Sequence, residues 1–177
     1  MISSKIHRQF LWFGRHYSCC LRAVFMRRKV LVVEDDPDQL EVTRLSLKAA
    51  GFAIGTASNG IDALKKAQTV SPDLILLDVM MPGLNGFAVC ETLRENPATA
   101  SIPILMLTGL CSHISQLVAF ESGATDYLIK PFVPEELISK VEKLLSRTQR
   151  LAEQKINPKR DNSHLHKKPS PTLSGDK

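Results

Sequence analysis

Short uninterrupted apolar runs alternate with amphipathic stretches through the middle of this chain. Val30-Leu31-Val32-Val33 is a β-branched run closed by three acids, and it predicts a buried strand. Pro37 to Gly51 predicts a helix, with proline suited to the first turn and glycine a natural stop. Its apolar positions, Leu40, Val42, Leu45 and Leu47, do not form one clean face. Phe52 to Ala57 predicts a second strand, ended by Asn59-Gly60, and Ile61 to Val70 a second helix with Ile61, Leu64 and Ala67 three apart. After Pro72, Asp73-Leu74-Ile75-Leu76-Leu77-Asp78 is the most strand-like run. Turns at Pro82-Gly83 and Asn85-Gly86 lead into a helix from Phe87 to Glu95 with Val89, Cys90 and Leu93 inward. Ile102 to Leu107 reads as a fourth strand, with Pro103 tolerated near its start. Ser112 caps a further helix that carries Ile114, Leu117 and Val118 and stops at Gly123. Asp126 to Ile129 is a fifth strand. Pro134 opens a last helix, with Glu135 and Glu136 where the helix dipole favours acids and Leu137, Ile138, Val141, Leu144 and Leu145 as its inward stripe.

Five βα units of this kind predict an α/β fold. Strands without polar alternation need both faces covered, so the sheet is expected to be parallel with helices on both sides and right-handed crossovers. Ligand chemistry in such a sheet gathers at the carboxyl ends of the strands.

Length and charge sharpen the boundaries. The chain has 177 residues, enough for one domain plus tails, and 44% apolar residues exclude wholesale disorder. The net charge of +5 is unevenly spread. Residues 1–29 carry seven cations and no acid, residues 30–147 carry nine cations and fifteen acids, and residues 148–177 carry seven cations and three acids. An acidic body of net −6 is therefore flanked by two basic arms, so the overall charge does not itself argue for nucleic acid. The expected organisation is a basic extension over 1–27, a domain over 28–147 and a basic, proline-containing, disordered tail over 148–177.

The head's apolar cluster Phe10 to Phe13 is too short for a secretory signal. Its acid-free composition allows a transit peptide or membrane-surface segment, and the plainer expectation is that Met26 is the true start. No run approaches a membrane span, and cysteines read as reduced thiols give the expectation of a cytoplasmic protein. Cys19, Cys20, Cys90 and Cys111 lack metal or disulfide spacing, Cys90 and Cys111 read as packing residues, and His164 and His166 carry too little pattern for a metal site.

The chemistry lies at the strand ends. Strand one closes in Glu34-Asp35-Asp36, strand three in Asp78, strand four in Thr108-Gly109 and strand five in Lys130-Pro131. In a flavodoxin-like order, 2-1-3-4-5, these four ends are neighbours. Two unit charges about 4 Å apart at an effective dielectric near 20 repel by about 4 kcal/mol, so either a carboxyl is protonated or a cation sits between them. An oxygen-only donor set suits Mg²⁺. Lys130 and Thr108 are poor partners for a cation but good ones for an anion beside it, which reads as a site for phosphoryl transfer to a carboxylate.

These features resemble the receiver domain of two-component response regulators, CheY-like and of the single-domain type, over residues 28 to 147. The resemblance rests on the acids after Val30-Leu31-Val32-Val33, Asp78 in Leu-Leu-Asp-Val-Met-Met-Pro-Gly, Thr108-Gly109, Tyr127, and Lys130-Pro131-Phe132. It implies that Asp78 accepts a phosphoryl group from a phosphohistidine, becoming a 4-aspartylphosphate. Asp35, Asp78 and the main-chain carbonyl of Met80 would bind Mg²⁺ directly and Glu34 through water. Asp36, a third acid where the pattern needs two, is read first as a helix N-terminal residue, with a place in the site as the alternative. Lys130 would pair with phosphoryl oxygens, and Thr108 and Tyr127 would be the switch. The resemblance allows a cis Lys130-Pro131 bond.

The expected function is a phosphoacceptor response regulator in a phosphorelay, not an enzyme beyond its own phosphoryl transfer and dephosphorylation. An aspartyl-phosphate phosphatase would need a second acid at Met80, and a flavin protein a phosphate-cradling loop in place of the acids. A phosphorylation-independent scaffold and nucleic-acid contact through the arms stay as alternatives. Some 30 residues after the last helix predict output by docking rather than by a further domain. The expected partners are a sensor histidine kinase or histidine phosphotransfer protein and a downstream protein, with nucleic acid unlikely. Their surface would be the last helix, the strand before it and the helix beyond Thr108. Apolar Met80 and Leu110, where the family places residues that orient water, predict a long-lived phosphorylated form.

Overall fold

The computed structural model describes residues 27–109 and 118–156. Its elements are β1 (Lys29–Val33), α1 (Pro37–Ala49), β2 (Ala53–Ala57), α2 (Gly60–Val70), β3 (Leu74–Asp78), α3 (Gly86–Glu95), β4 (Ile104–Thr108), β5 (Asp126–Ile129) and α4 (Pro134–Ile156). All strands pair in parallel, in the order β2-β1-β3-β4-β5. The flavodoxin-like α/β architecture expected from the apolar runs is the one observed.

The unbroken apolar runs make sense because both faces of the sheet are buried. Alternate residues serve opposite faces. Leu31, Val33, Ile75, Leu77, Ile104 and Met106 pack with Ala63 and Ala67 of α2 and Val89, Cys90 and Leu93 of α3. Val30, Val32, Leu74, Leu76, Leu105, Leu107 and Leu128 pack with Leu47 of α1 and Leu137, Val141, Leu144 and Leu145 of α4. The inward stripes expected on α3 and α4 are in place. Helix ends follow local chemistry: Asp36, Asn59 and Asn85 cap α1, α2 and α3 through side-chain oxygens. Gly123 adopts φ +93°, and an added Cβ there would also meet the Arg94 side chain at 2.6 Å.

Three helices show what the spacing of apolar residues left open. Of the three α2 residues spaced three apart, Ile61 stands 62% exposed and Ala67 is buried, and the buried face of α2 is Gly60, Ala63 and Ala67. A Cβ at Gly60 would meet Val89 Cγ2 at 2.7 Å, so α2 and α3 come too close for a larger residue on that face. On α1, Val42 and Leu45 are exposed, and Thr43 is buried with Leu47. The last helix runs to Ile156, nine residues beyond the expected end of the domain at 147. The next proline is Pro158, and Gln149 bonds Glu153 one turn on while also accepting from Arg28 Nη2, so nothing local stops the helix earlier. Residues 118–121 are helical. Ser112, Ile114, Leu117, Leu110, Cys111 and His113, like the head and the tail from 157, lie outside the described residues.

Candidate functional site

Three residues that open the loops are held by one extra sheet-like hydrogen bond each. Glu34 N–H donates to the Ala57 carbonyl (3.1 Å), Val79 N–H to Leu107 (3.0 Å) and Lys130 N–H to Thr108 (2.8 Å). The ladder therefore continues one step past β1, β3 and β5, and the side chains at these positions inherit the rigidity of the sheet. The crevice they border lies where strand order reverses between β1 and β3, the place where open parallel sheets bind ligands.

Glu34, Asp35 and Asp78 each offer one carboxylate oxygen, and these oxygens lie within 4.8 Å of one another. Glu34 and Asp78 are buried and Asp35 is half-buried. Lys130 reaches into the cluster from β5, with Nζ 2.7 Å from Glu34 Oε2 and 3.1 Å from Asp78 Oδ1. Burial pushes the Glu34 carboxyl above its usual range; the hydrogen bond from Lys130 opposes that rise and the Asp78 charge adds to it. Burial alone would lower the Lys130 ammonium, but its bonds to Glu34 and Asp78 outweigh this and hold it above the ordinary lysine value. The peptide bond between Lys130 and Pro131 is cis.

Of the residues expected here, the structure thus brings together Glu34, Asp35, Asp78 and Lys130. Thr108 is buried at the end of β4, the neighbour of β3, with Asp78 paired to Leu107 in register. Met80 follows two residues beyond Asp78, its side chain 62% exposed. Asp36 is half-buried and caps α1, accepting from the N–H groups of Asp38 and Gln39 and from the Gln39 amide, which hold its carboxyl below the usual range. Tyr127 stands on β5, half-buried, its ring edge-on to Phe120 (centroids 5.7 Å apart, 78° between planes) and with Lys140 Nζ 5.7 Å from its centroid.

One contributor was missed in the sequence. Gly86, the first residue of α3, packs against the backbone of Asp78 and Val79 so closely that a Cβ there would overlap the Asp78 carbonyl. Its own N–H donates to the Val79 carbonyl at 3.1 Å. The Asn85-Gly86 pair signalled a turn, but a close backbone approach is a second reason for glycine that spacing alone does not reveal.

The donor set fits a small hard cation. All three groups are oxygens, and half-buried Asp35 leaves a side open for the waters that Mg²⁺ retains. Beside the acids, a groove of about 580 Å³ runs between α1 and the segment after β5, bordered by Glu34, Gln39, Val42, Lys130 and Phe132. The exposed Val42 side chain gives this groove an apolar wall. No helix among the described residues is long and apolar enough to cross a membrane.

Residues 30–142 match the family model of the response regulator receiver domain. Over 123 residues the chain is 42% identical to the DNA-binding dual master transcriptional regulator RpaA of Synechocystis sp., covering 70% of this chain and 51% of that protein. It is also 42% identical over 124 residues to the alkaline phosphatase synthesis transcriptional regulatory protein PhoP of Bacillus subtilis, with 70% and 51% covered. The chain thus spans about half the length of the curated relatives it matches. Among solved structures, the chemotaxis response regulator CheY4 of Vibrio cholerae superimposes with a TM-score of 0.65 at 35% identity, over 67% of this chain and 99% of that one. The Francisella response regulator 1452 receiver domain gives 0.65 at 34%, over 69% and 99%.

Proposed function

The chain belongs to the response regulator receiver domain family of two-component systems, and we propose that Asp78 is its phosphoacceptor. An oxygen of the Asp78 carboxylate attacks the phosphorus of a phosphohistidine on a sensor kinase or phosphotransfer protein. The new O–P bond forms as the P–N bond breaks, and the imidazole nitrogen leaves with the bond's electron pair and takes a proton. The observation that carries this reading is the convergence of Lys130 on buried Asp78 inside a cluster of three carboxylates at the sheet's switch point.

Lys130 Nζ, 3.1 Å from Asp78, is placed to balance charge gained by the carboxylate oxygens when a phosphoryl group joins them. Doing so would draw it from Glu34, its other partner at 2.7 Å. Thr108, buried on the adjacent strand, is the hydroxyl assigned to the phosphoryl oxygens, and Tyr127 the ring that follows it. Glu34, Asp35, Asp78 and the Met80 carbonyl are the groups assigned to Mg²⁺. When bound, that ion supplies a positive charge that offsets repulsion between the acids and the incoming phosphoryl oxygens. Asp36 is assigned to capping α1.

We further propose that output is by protein docking at a cytoplasmic location. Phe120 and Val133, both exposed, border Tyr127 and the start of α4, and the body of residues 30–147 is acidic. The name of RpaA speaks of DNA binding, and it is said of a protein about twice the length that this chain matches. Beyond its own phosphoryl transfer and dephosphorylation, no turnover of substrate is assigned. The deciding experiment is phosphoryl uptake by the full chain from acetyl phosphate with Mg²⁺. One phosphoryl group per chain is expected, with none in Asp78→Asn, whereas uptake unchanged in Asp78→Asn, or absent altogether, would overturn the assignment.

A further inference from the structure

At the opposite end of the sheet from the acids, a cavity of about 430 Å³ opens between the outer part of α4, the segment before β4 and the segment before β5. Its polar lining is Arg94, Ser101, Thr125, Arg147 and Thr148, and no Asp or Glu is among the residues that line it. We infer that this cavity binds a small oxyanion, a carboxylate- or phosphate-bearing molecule, held between the two guanidinium groups.

Arg94 carries the argument. Its Nε donates to the Gly123 carbonyl at 2.7 Å, and Nη1 donates to the carbonyls of Ala100 (3.0 Å) and Ile102 (2.8 Å). Every close acceptor is a neutral backbone group, and among the described residues the guanidinium forms no ion pair. Nη2 has only a 3.4 Å contact with Thr125 Oγ1, a long bond for one of its two N–H groups. A partly buried cation satisfied by dipoles alone pays a desolvation cost that an anion would offset, and burial accordingly lowers the Arg94 ionisation range. The three carbonyl bonds leave the guanidinium in a fixed orientation, so little ordering is lost when an anion arrives.

The second cation and the hydroxyls complete a site of a recognisable kind. Exposed Arg147 lines it from α4 with Thr148, whose hydroxyl already donates to the Leu144 carbonyl at 3.1 Å; Ser101 and Thr125 line it from the segments before β4 and β5, while Leu144 and Leu151 supply apolar cover. A few polar groups converging in a partly apolar cavity of this size is the pattern of small-molecule sites. The chain's own arms are both net cationic, which disfavours them as occupants of a cavity that carries two arginines.

The test is amide and arginine Nε–H chemical-shift mapping on the full chain without magnesium, which keeps the carboxylate site out of play. Inorganic phosphate and citrate are titrated separately against sodium chloride of equal ionic strength, in wild type and in Arg147→Gln and Thr148→Val. Saturable shifts confined to residues 100–103, 123–125 and 147–151, weakened at least about fivefold by Arg147→Gln, are expected for one or both anions. Response to phosphate alone identifies a phosphate-bearing ligand, and response to citrate alone a carboxylate. Shifts equal to those in chloride, or unaltered by both substitutions, overturn the inference.

Discussion

Lys130→Met tests the electrostatic core of the site directly. In the native protein Nζ sits 2.7 Å from Glu34 and 3.1 Å from Asp78, with the lysine side chain 20% exposed and the two carboxylates 3% and 5% exposed. At an effective dielectric near 20, each contact is worth about 5–6 kcal/mol before desolvation is charged against it. Removing one partner of a buried ion pair has a net cost of about 3–5 kcal/mol, because the acids remain buried without compensation. The sign of the pH dependence follows. Glu34 is already raised by burial, and losing the Lys130 hydrogen bond raises it further. A carboxyl whose folded-state value exceeds its unfolded value keeps the protein's stability below the unfolded range, about pH 4, and loses it as pH rises through the folded value.

The penalty of Lys130→Met is therefore expected to be small at pH 4 and to reach about 3–5 kcal/mol at pH 7.5, measured by urea unfolding with metal chelated. The substitution also removes a positive charge that competes with a metal ion for the same oxygens. Calorimetric titration should show Mg²⁺ bound more tightly by the variant, by about tenfold or more, since 1.4 kcal/mol suffices for that factor. A penalty below about 1 kcal/mol at pH 7.5, an equal penalty at both pH values, or weaker Mg²⁺ binding would refute the reasoning.

Three other expectations are simpler. Gly86→Ala should destabilise the domain by about 1–3 kcal/mol by thermal or urea unfolding, because the new Cβ overlaps the Asp78 carbonyl and the chain must shift; it should also slow phosphoryl uptake, since the displaced backbone carries the nucleophile. Asp36→Ala should lower stability by about 1 kcal/mol through loss of the α1 cap while leaving Mg²⁺ affinity and phosphoryl uptake unchanged, and a loss of either would return Asp36 to the site. The phosphorylated form should persist for many minutes, followed by loss of label, because Met80 offers no polar group to orient water; decay within seconds would contradict this.

How much of this was legible in the chain depends on the range of the interaction. Strand and helix identity were readable because both faces of a parallel sheet are buried, so Val30 to Val33 and Leu74 to Leu77 had no reason to alternate. The caps at Asp36, Asn59 and Asn85 are local, as is the proline-led start of α4. Chain order and strand-end chemistry likewise bring Glu34, Asp35, Asp78, Thr108 and Lys130 to one end of the sheet, given a 2-1-3-4-5 order. Only packing between elements decided the rest. Ile61 faces solvent because α2 meets α3 through Gly60, where a Cβ would strike Val89. Gly86 is pressed against Asp78, and α4 continues to Ile156. Lys130 bonds Glu34 across 96 positions of sequence, and Arg94 reaches neutral carbonyls on two other segments. Periodicity reports what a residue's own element needs, but the distance between two side chains far apart in the chain is set by how closely their elements can approach, and that distance decides which charges are paired.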